Sequence, residues 1–372
     1  MPPARSYLPR LTLATVWSLL AVTFALLAGE LHVIPVADFW WHLRLGQIIW
    51  TERQLPTVDG LSFTARGAFA PAVQWLGELY LYLTFALGGL ELVLLANALL
   101  LATVAALMLL TCREEGAGAR VGALVTMAFL FVGVFPSGDA RPQVLGFVIF
   151  ALWYLLLIRY RLRSSPLVCL VPPTAVIWNN ANGTVLLGLG LLAVAWVGEA
   201  LNLLLQGRLG LILPSRKLRG LGVAVVSVPL TMLLNPWGLD LFRYLRDYVT
   251  DTAMRQIISE WRPPTVDDPL GLCFFTLLLA SVACFALSPR RLDLAELLVF
   301  LAFTALAIQA GRNSVWFAIV AAPLVAGRLQ SILDLWPRAA EGPEHVGVNY
   351  VLAGVFSLLN NAPLQPNRPQ GR

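Results

Sequence analysis

The chain has 372 residues, 58% of them hydrophobic and 13% charged, with a mean hydropathy of +0.74. Soluble domains carry about a quarter charged residues, so this composition excludes an ordinary soluble globular fold. The formal net charge of +5 comes from bases in short loops between apolar runs, where it sets orientation in a bilayer and is no sign of nucleic-acid binding.

Only helices and closed barrels satisfy their backbone in lipid. Runs such as "LELVLLANALLLATVAALMLL" do not alternate as barrel strands do, so the fold class is an all-α polytopic transmembrane bundle of about 10–11 spans. Arg5 and Arg10 precede the first apolar run, which reads as an uncleaved span near 11–29. The basic loops "RYRLR" (159–163), "RLGLILPSRKLR" (208–219) and "PRR" (289–291) belong on the cytoplasmic side. Further spans then fall near 90–111, 121–136, 143–159, 166–178, 184–205, 220–234, 270–288, 293–310 and 314–333.

The segment "VQWLGELYLYLTFALGG" (73–89) is apolar enough to cross. If it crossed, every later basic loop would face the wrong side. It therefore lies on the outer surface as an amphipathic helix. Residues 30–89 form one long extracytoplasmic loop with two surface helices, near 38–51 and 72–87. Residues 1–336 make one integral membrane module. The remainder, 337–372, is a polar, Pro-rich tail, with a short further span over 346–359 left open.

This topology gathers the unusual residues on one face. "ADFWWHLRLG" (37–46) sets Asp38 one helical turn before His42, so both share a face; Asp38 also stands where an N-cap would. Trp40 and Trp41 fit headgroup anchors. Glu78 sits inside an apolar segment, either as a headgroup-facing residue or as a site group. "GDARPQ" (138–143) holds Arg141 and Gln143, with Asp139 placed to pair with the arginine. Nine arginines fall outside, against the orientation rule: Arg44, Arg53, Arg66, Arg141, Arg243, Arg246, Arg255, Arg262 and Arg312. An anionic ligand accounts best for Arg141, and after it Arg262 and Arg312, because a guanidinium forks onto phosphate. Arg243, Arg246 and Arg255 lie on an amphipathic stretch, 239–257, and read as solvated. Asn179, Asn180, Asn182 and Asn235 fit turn chemistry as well as a site. Cys112, Cys169, Cys273 and Cys284 lack metal or redox spacing and read as packing residues; three histidines cannot make a His-rich metal site.

The series "DFWWHLRLGQII…LPTVDGLSFT…QWLGELYLY", then "RPQ", "WNNANG", "NPWG", "EW" and "RN", spans most of residues 36–315. It resembles the bacterial polytopic proteins of the glycosyltransferase C superfamily. That superfamily includes oligosaccharyltransferase catalytic subunits, protein O-mannosyltransferases and lipid A aminoarabinose transferase. The resemblance implies a transferase of the bacterial inner membrane, with a cytoplasmic N-terminus and an extracytoplasmic site. The donor would be a sugar on a polyprenyl phosphate, and the acceptor a glycan, lipid or protein. Relatives often carry an acid two positions before the motif's Asp, where this chain has Val36, and His-Gly where it has Asn182-Gly183. A metal-binding acid pair is thus missing, and the expectation is metal-independent, cofactor-free, inverting transfer. Asp38 would be the base, with His42 beside it in the catalytic pair. Glu78, Arg141, Gln143, Asn182, Glu260, Arg262 and Arg312 would bind substrate. Two rival functions remain: a lipid-linked glycan transporter, disfavoured because the polar residues crowd one rim, and a non-catalytic scaffold.

Overall fold

The computed structural model of the chain describes residues 12–31, 38–208, 210, 214–242, 246 and 258–335. Val36, Arg243, Arg255, the 346–359 segment and the tail lie outside the described residues. Among the described residues there are eleven α-helices: α1 (Leu13–Glu30), α2 (Asp38–Glu52), α3 (Trp75–Glu114), α4 (Ala119–Phe129), α5 (Gln143–Arg163), α6 (Val171–Ala181), α7 (Val185–Leu205), α8 (Arg216–Met232), α9 (Pro269–Leu287), α10 (Leu294–Gln309) and α11 (Ser314–Leu333). The extended structure among them is one isolated antiparallel bridge, Val58 to Phe69.

Six helices are long and apolar enough to cross a membrane: α1, α3, α5, α7, α9 and α11 with its leading turn. Their composition and number are those of a multi-pass membrane protein. Helices also fall at the other four expected spans, but they are shorter. The α4 segment reaches Val134 only by adding a π-turn, Leu130–Val134, and α10 has 16 residues. The outward faces are apolar, with Leu99, Val223, Leu230, Leu279 and Leu301 all at least half exposed, as lipid-facing side chains must be.

The centre is α5 packed on α3 and α6, with α11 against α10, α4 and α9. Aromatic rings fill it in edge-to-face pairs, Phe150 with Phe303 at 5.2 Å and Trp153 with Trp178 at 5.1 Å. Two central indoles find hydroxyl partners: Trp153 Nε1 donates to Thr174 Oγ1 (2.8 Å) and Trp178 Nε1 to Thr184 Oγ1 (3.1 Å). An unpaired indole N–H in a core is costly.

The 73–89 segment is helical from Trp75 and ends at a kink where Gly88 and Gly89 leave helical geometry, so α3 is two helices joined end to end and the expected helix near 72–87 is its first half. Gly89 has φ 66° and ψ −157°, a region essentially closed to residues with a Cβ. The paired glycines therefore redirect the chain between a half that carries α2 and a half that enters the bundle.

A second set of charges sits at the far end of α5. Arg328, on α11, is fully buried; it pairs with Glu115 (3.0 Å) and with Glu296. Glu115 also takes Arg290 at 2.9 Å. Arg161 joins Glu199 at 2.6 Å and Asp293 at 2.5 Å. Asp293 and Glu296 form the capping box of α10 as well, so one pair of acids starts that helix and neutralises two arginines. Burial opposes the Asp293 charge, but Arg161 and the cap hydrogen bond from Glu296 N hold its carboxyl below the usual range. Removing one member of a buried ion cluster strands the others. Arg328→Met should lower stability by about 3–5 kcal/mol, seen as a fall in the melting temperature of purified protein, whereas Arg163→Gln, at an exposed arginine, should change it by less than about 1 kcal/mol.

Candidate functional site

The chain just before α5 is shaped by what precedes and follows it. The π-turn ending α4 runs into a 3₁₀ turn, Phe135–Ser137; such irregular turns re-aim the chain and recur at functional sites. Asp139, Ala140 and Arg141 follow. Ala140 is buried in a small apolar cluster with Phe39, Leu43, Leu81 and Val93. That cluster clamps α2 onto α3 and onto this loop. Because Phe39 is fully buried, its neighbour Asp38 is brought to Arg141.

Arg141 meets three carboxylates. Its Nη1 lies 3.4 Å from Asp38 Oδ2, and its Nη2 lies 2.8 Å from Asp139 Oδ2 and 3.0 Å from Glu260 Oε1. Nη1 also donates to Glu260 Oε2 at 3.3 Å, so Glu260 holds the guanidinium in a two-point fork. The Arg141 side chain is 13% exposed and that of Asp38 is 56% exposed. Burial works against the Arg141 charge, but Glu260, Asp139 and Asp38 outweigh it and raise its pKa above the ordinary arginine value. Arg141 Nε is buried and has no hydrogen-bond partner among the described residues.

One turn along α2, His42 Nδ1 lies 3.3 Å from Glu78 Oε1 on α3. Glu78 is 3% exposed, so neither a headgroup-facing nor a solvent-facing carboxylate describes it; its Oε2 has no hydrogen-bond partner among the described residues. Gly46 permits this contact. A Cβ there would stand 2.1 Å from the Glu78 carbonyl oxygen, so α2 can lie on α3 only with glycine at that point.

Gln143 and Arg312 meet each other: Arg312 Nη2 donates to Gln143 Oε1 at 3.2 Å, and its guanidinium lies 4.5 Å from the Trp261 ring centroid. Gly311 N donates to Arg262 O at 2.9 Å, which binds the Ser259–Trp261 turn to the turn before α11. Thus Asp38, Arg141 and Glu260 form one group, His42 and Glu78 a second beside it on α2, and Gln143 and Arg312 a third, joined to the first through Arg141–Gln143 and the Glu260 turn. Arg262 is fixed here by its carbonyl.

Asn182 belongs to a different construction. Its Nδ2 donates to Gln74 Oε1 (2.8 Å), and its Oδ1 accepts from Thr184 N (2.9 Å). Asn180 Oδ1 accepts from Trp75 Nε1 (2.7 Å), Asn179 Nδ2 donates to Thr231 O (3.0 Å), and Asn235 Nδ2 donates to Asn179 O (3.0 Å). These amides tie the start of α3 to the ends of α6 and α8, so they support the site from beneath. Likewise Asp59, in the "PTVDGLSFT" motif, accepts from Leu61 N and Ser62 N, both at 2.8 Å. Its bonds to Ser62 lower its carboxyl below the usual value, with burial opposing.

Sequence reasoning missed three contributors. Asp139 was read as a simple partner of Arg141, yet it completes a buried triple contact. Gln74 and Trp261 lie in the motifs "QWLGELYLY" and "EW" but carry no assigned role there, since a lone amide or indole at a membrane rim is ordinary. Among the described residues no three or more His, Cys, Asp or Glu side chains are arranged to hold a metal ion; the site's carboxylates face a guanidinium instead. Gly46→Ala should force α2 off α3 and separate His42 from Glu78. The expected result is a lower melting temperature, together with faster proteolysis of the 53–73 connection. No protein-family model matches this chain, and no curated protein sequence matches it.

Proposed function

We propose that the protein is a membrane glycosyltransferase that moves a sugar from a polyprenyl-phosphate donor to an acceptor hydroxyl on the extracytoplasmic face. The observation that carries this reading is the juxtaposition of Asp38, more than half exposed, with the Arg141 guanidinium at 3.4 Å: a base beside a cation at the rim of an apolar bundle. The likeness of "DFWWHL" and its following motifs to the glycosyltransferase C superfamily supports it. So does the distribution of bases, which favours the opposite end of α5 as the cytoplasmic one.

In this reading Asp38 accepts the proton of the acceptor hydroxyl. The oxygen forms its bond to the anomeric carbon as the bond from that carbon to the donor phosphate breaks. The electron pair leaves on the phosphate oxygen, and the sugar inverts. Arg141 stabilises the departing phosphate, because a fixed cation in a poorly hydrated cleft acts where charge develops. Arg312, held by Gln143, is the second cation in reach of the same rim. His42 and Glu78 fix the face of α2 from which Asp38 projects.

Glu260 takes a role different from direct substrate contact. It already occupies the fork of Arg141, the same two-point geometry a phosphate would use. The donor must therefore displace it, and the turn at Ser259–Trp261 becomes a latch. The occupied fork is also what favours the second reading, a non-catalytic scaffold locked shut by its own carboxylates.

Two variants separate these readings. Asp38→Asn should bind a polyprenyl-phosphate sugar yet lose about 10²–10⁴-fold in turnover, measured with purified protein and labelled donor; full turnover in this variant rejects the base assignment. Glu260→Gln should bind the donor more tightly, by about fivefold or less, since the ion pair it removes is partly solvated. Absence of donor binding in both the wild type and Glu260→Gln would favour the scaffold.

A further inference from the structure

At the other end of the bundle lies a cavity of about 470 Å³ that the proposed reaction does not use. It is about 30 Å from Arg141, the length of the 21-residue α5 that separates them. Its walls are the last turn of α5, the last turns of α7, the start of α8 and the link from α9 to α10. We infer that this cavity binds a phosphate-bearing anion, with the headgroup of an anionic phospholipid as its occupant.

The charges around it divide into spent and unspent ones. Arg161 is neutralised by Glu199 and Asp293, and Arg290 is committed to Glu115. Lys217 is held more loosely: its Nζ pairs with Glu199 Oε2 at 3.8 Å, too far for a hydrogen bond, and Glu199 is already shared with Arg161. Arg291 is exposed and has no ion pair among the described residues. Two cations thus line one cavity with their donors unused. Ser215, the N-cap of α8, lines it as well. Ser215 Oγ accepts from Leu218 N and keeps its own proton to donate, and the free amides of a helix start favour an anion.

The surroundings favour a lipid over a soluble compound. Leu162 on the cavity wall and Leu205 beside it on α7 are 51% and 76% exposed, so an apolar surface adjoins the charged one. The cavity also lies at the basic ends of spanning helices, where cationic pockets between helices meet anionic headgroups. A headgroup can set its phosphate against Lys217 and Arg291 while its acyl chains follow the leucines.

The test uses the full chain in mild detergent, with bound lipid read by intact-protein mass spectrometry. Phosphatidylglycerol, phosphatidylcholine and inorganic phosphate are added separately. Phosphatidylglycerol should be retained and phosphatidylcholine should not. Lys217→Gln combined with Arg291→Gln should weaken retention roughly tenfold or more, as expected for two cations near an anionic headgroup. Arg208→Gln combined with Arg219→Gln, an equal charge change at exposed positions off the cavity wall, should leave retention unchanged. Equal retention of the two lipids overturns the inference, as does an unaltered Lys217/Arg291 double variant or an equal loss in the control. Binding of inorganic phosphate without phosphatidylglycerol supports the anion site and assigns a soluble phosphate compound to it. None of these readouts depends on sugar transfer.

Discussion

A guanidinium kept from water must have its charge answered locally, and most of this molecule's polar architecture follows from two places where that happens. At one end Arg141 draws in carboxylates from α2, from its own loop and from the turn before α9. At the other, Arg161, Arg290 and Arg328 draw in acids from the end of α3, from α7 and from the start of α10. Arg141 stands just before α5 and Arg161 in its last turn, while Arg290 and Arg328 tie the end of α3 to the start of α10 and to α11. The helix that fills the centre with aromatic rings is thus fixed at each end by ion pairs. Desolvation makes such pairs poor sources of net stability, but it makes their disruption costly. Their effect is therefore to specify which helices meet, and in what register, where apolar surfaces alone would slide.

The two ends differ in what remains after neutralisation. Around Arg141 three acids face one base, so the group is net negative and a second anion can enter only by exchange with one of them. Glu260 is the natural one to leave. Asp139 is two residues away in the same loop, and Asp38 is held through buried Phe39, whereas Glu260 sits on a short exposed-edge turn. Around the α8 start the balance is reversed, with Lys217 only loosely paired to an already shared Glu199 and Arg291 without an ion pair among the described residues. One end is arranged to resist an anion until something moves, and the other to accept one as built.

Much of the fold was readable because span length and loop charge are local properties. Apolar runs and basic loops placed α1, α5, α7, α9 and α11 close to where they lie. Loop parity also set the 73–89 segment apart from the 90–111 run, and the chain does break between them, at Gly88–Gly89. Other features depend on which distant segment comes near, and no local pattern encodes that. Glu78 looks like the polar face of a surface helix, yet it is buried because Gly46, on another helix, lets α2 cover it. Arg328 sits among apolar residues near the end of the last described helix and is indistinguishable from a boundary residue until Glu115 and Glu296 are seen beside it. Asn182, next to Gly183, fits turn chemistry and a substrate contact equally well in the sequence. Its two side-chain bonds, to Gln74 and Thr184, show an amide doing turn and bracing work that a histidine could not do with the same geometry.

The same reasoning bears on the choice between transfer and transport. A transport path needs polar groups that can be visited in sequence through the thickness of the bilayer. Here the two clusters of ion pairs stand about 30 Å apart, and the central part of α5 between them, Phe147 to Ile158, is apolar or aromatic and buried apart from half-buried Val148 and Leu152. A charged lipid headgroup moving along that helix would leave one set of partners long before it met the other. A reaction at one rim demands no such passage. In the proposed reading it needs only a base and a cation held together, and the apolar cluster of Phe39 and Ala140 is what holds Asp38 beside Arg141.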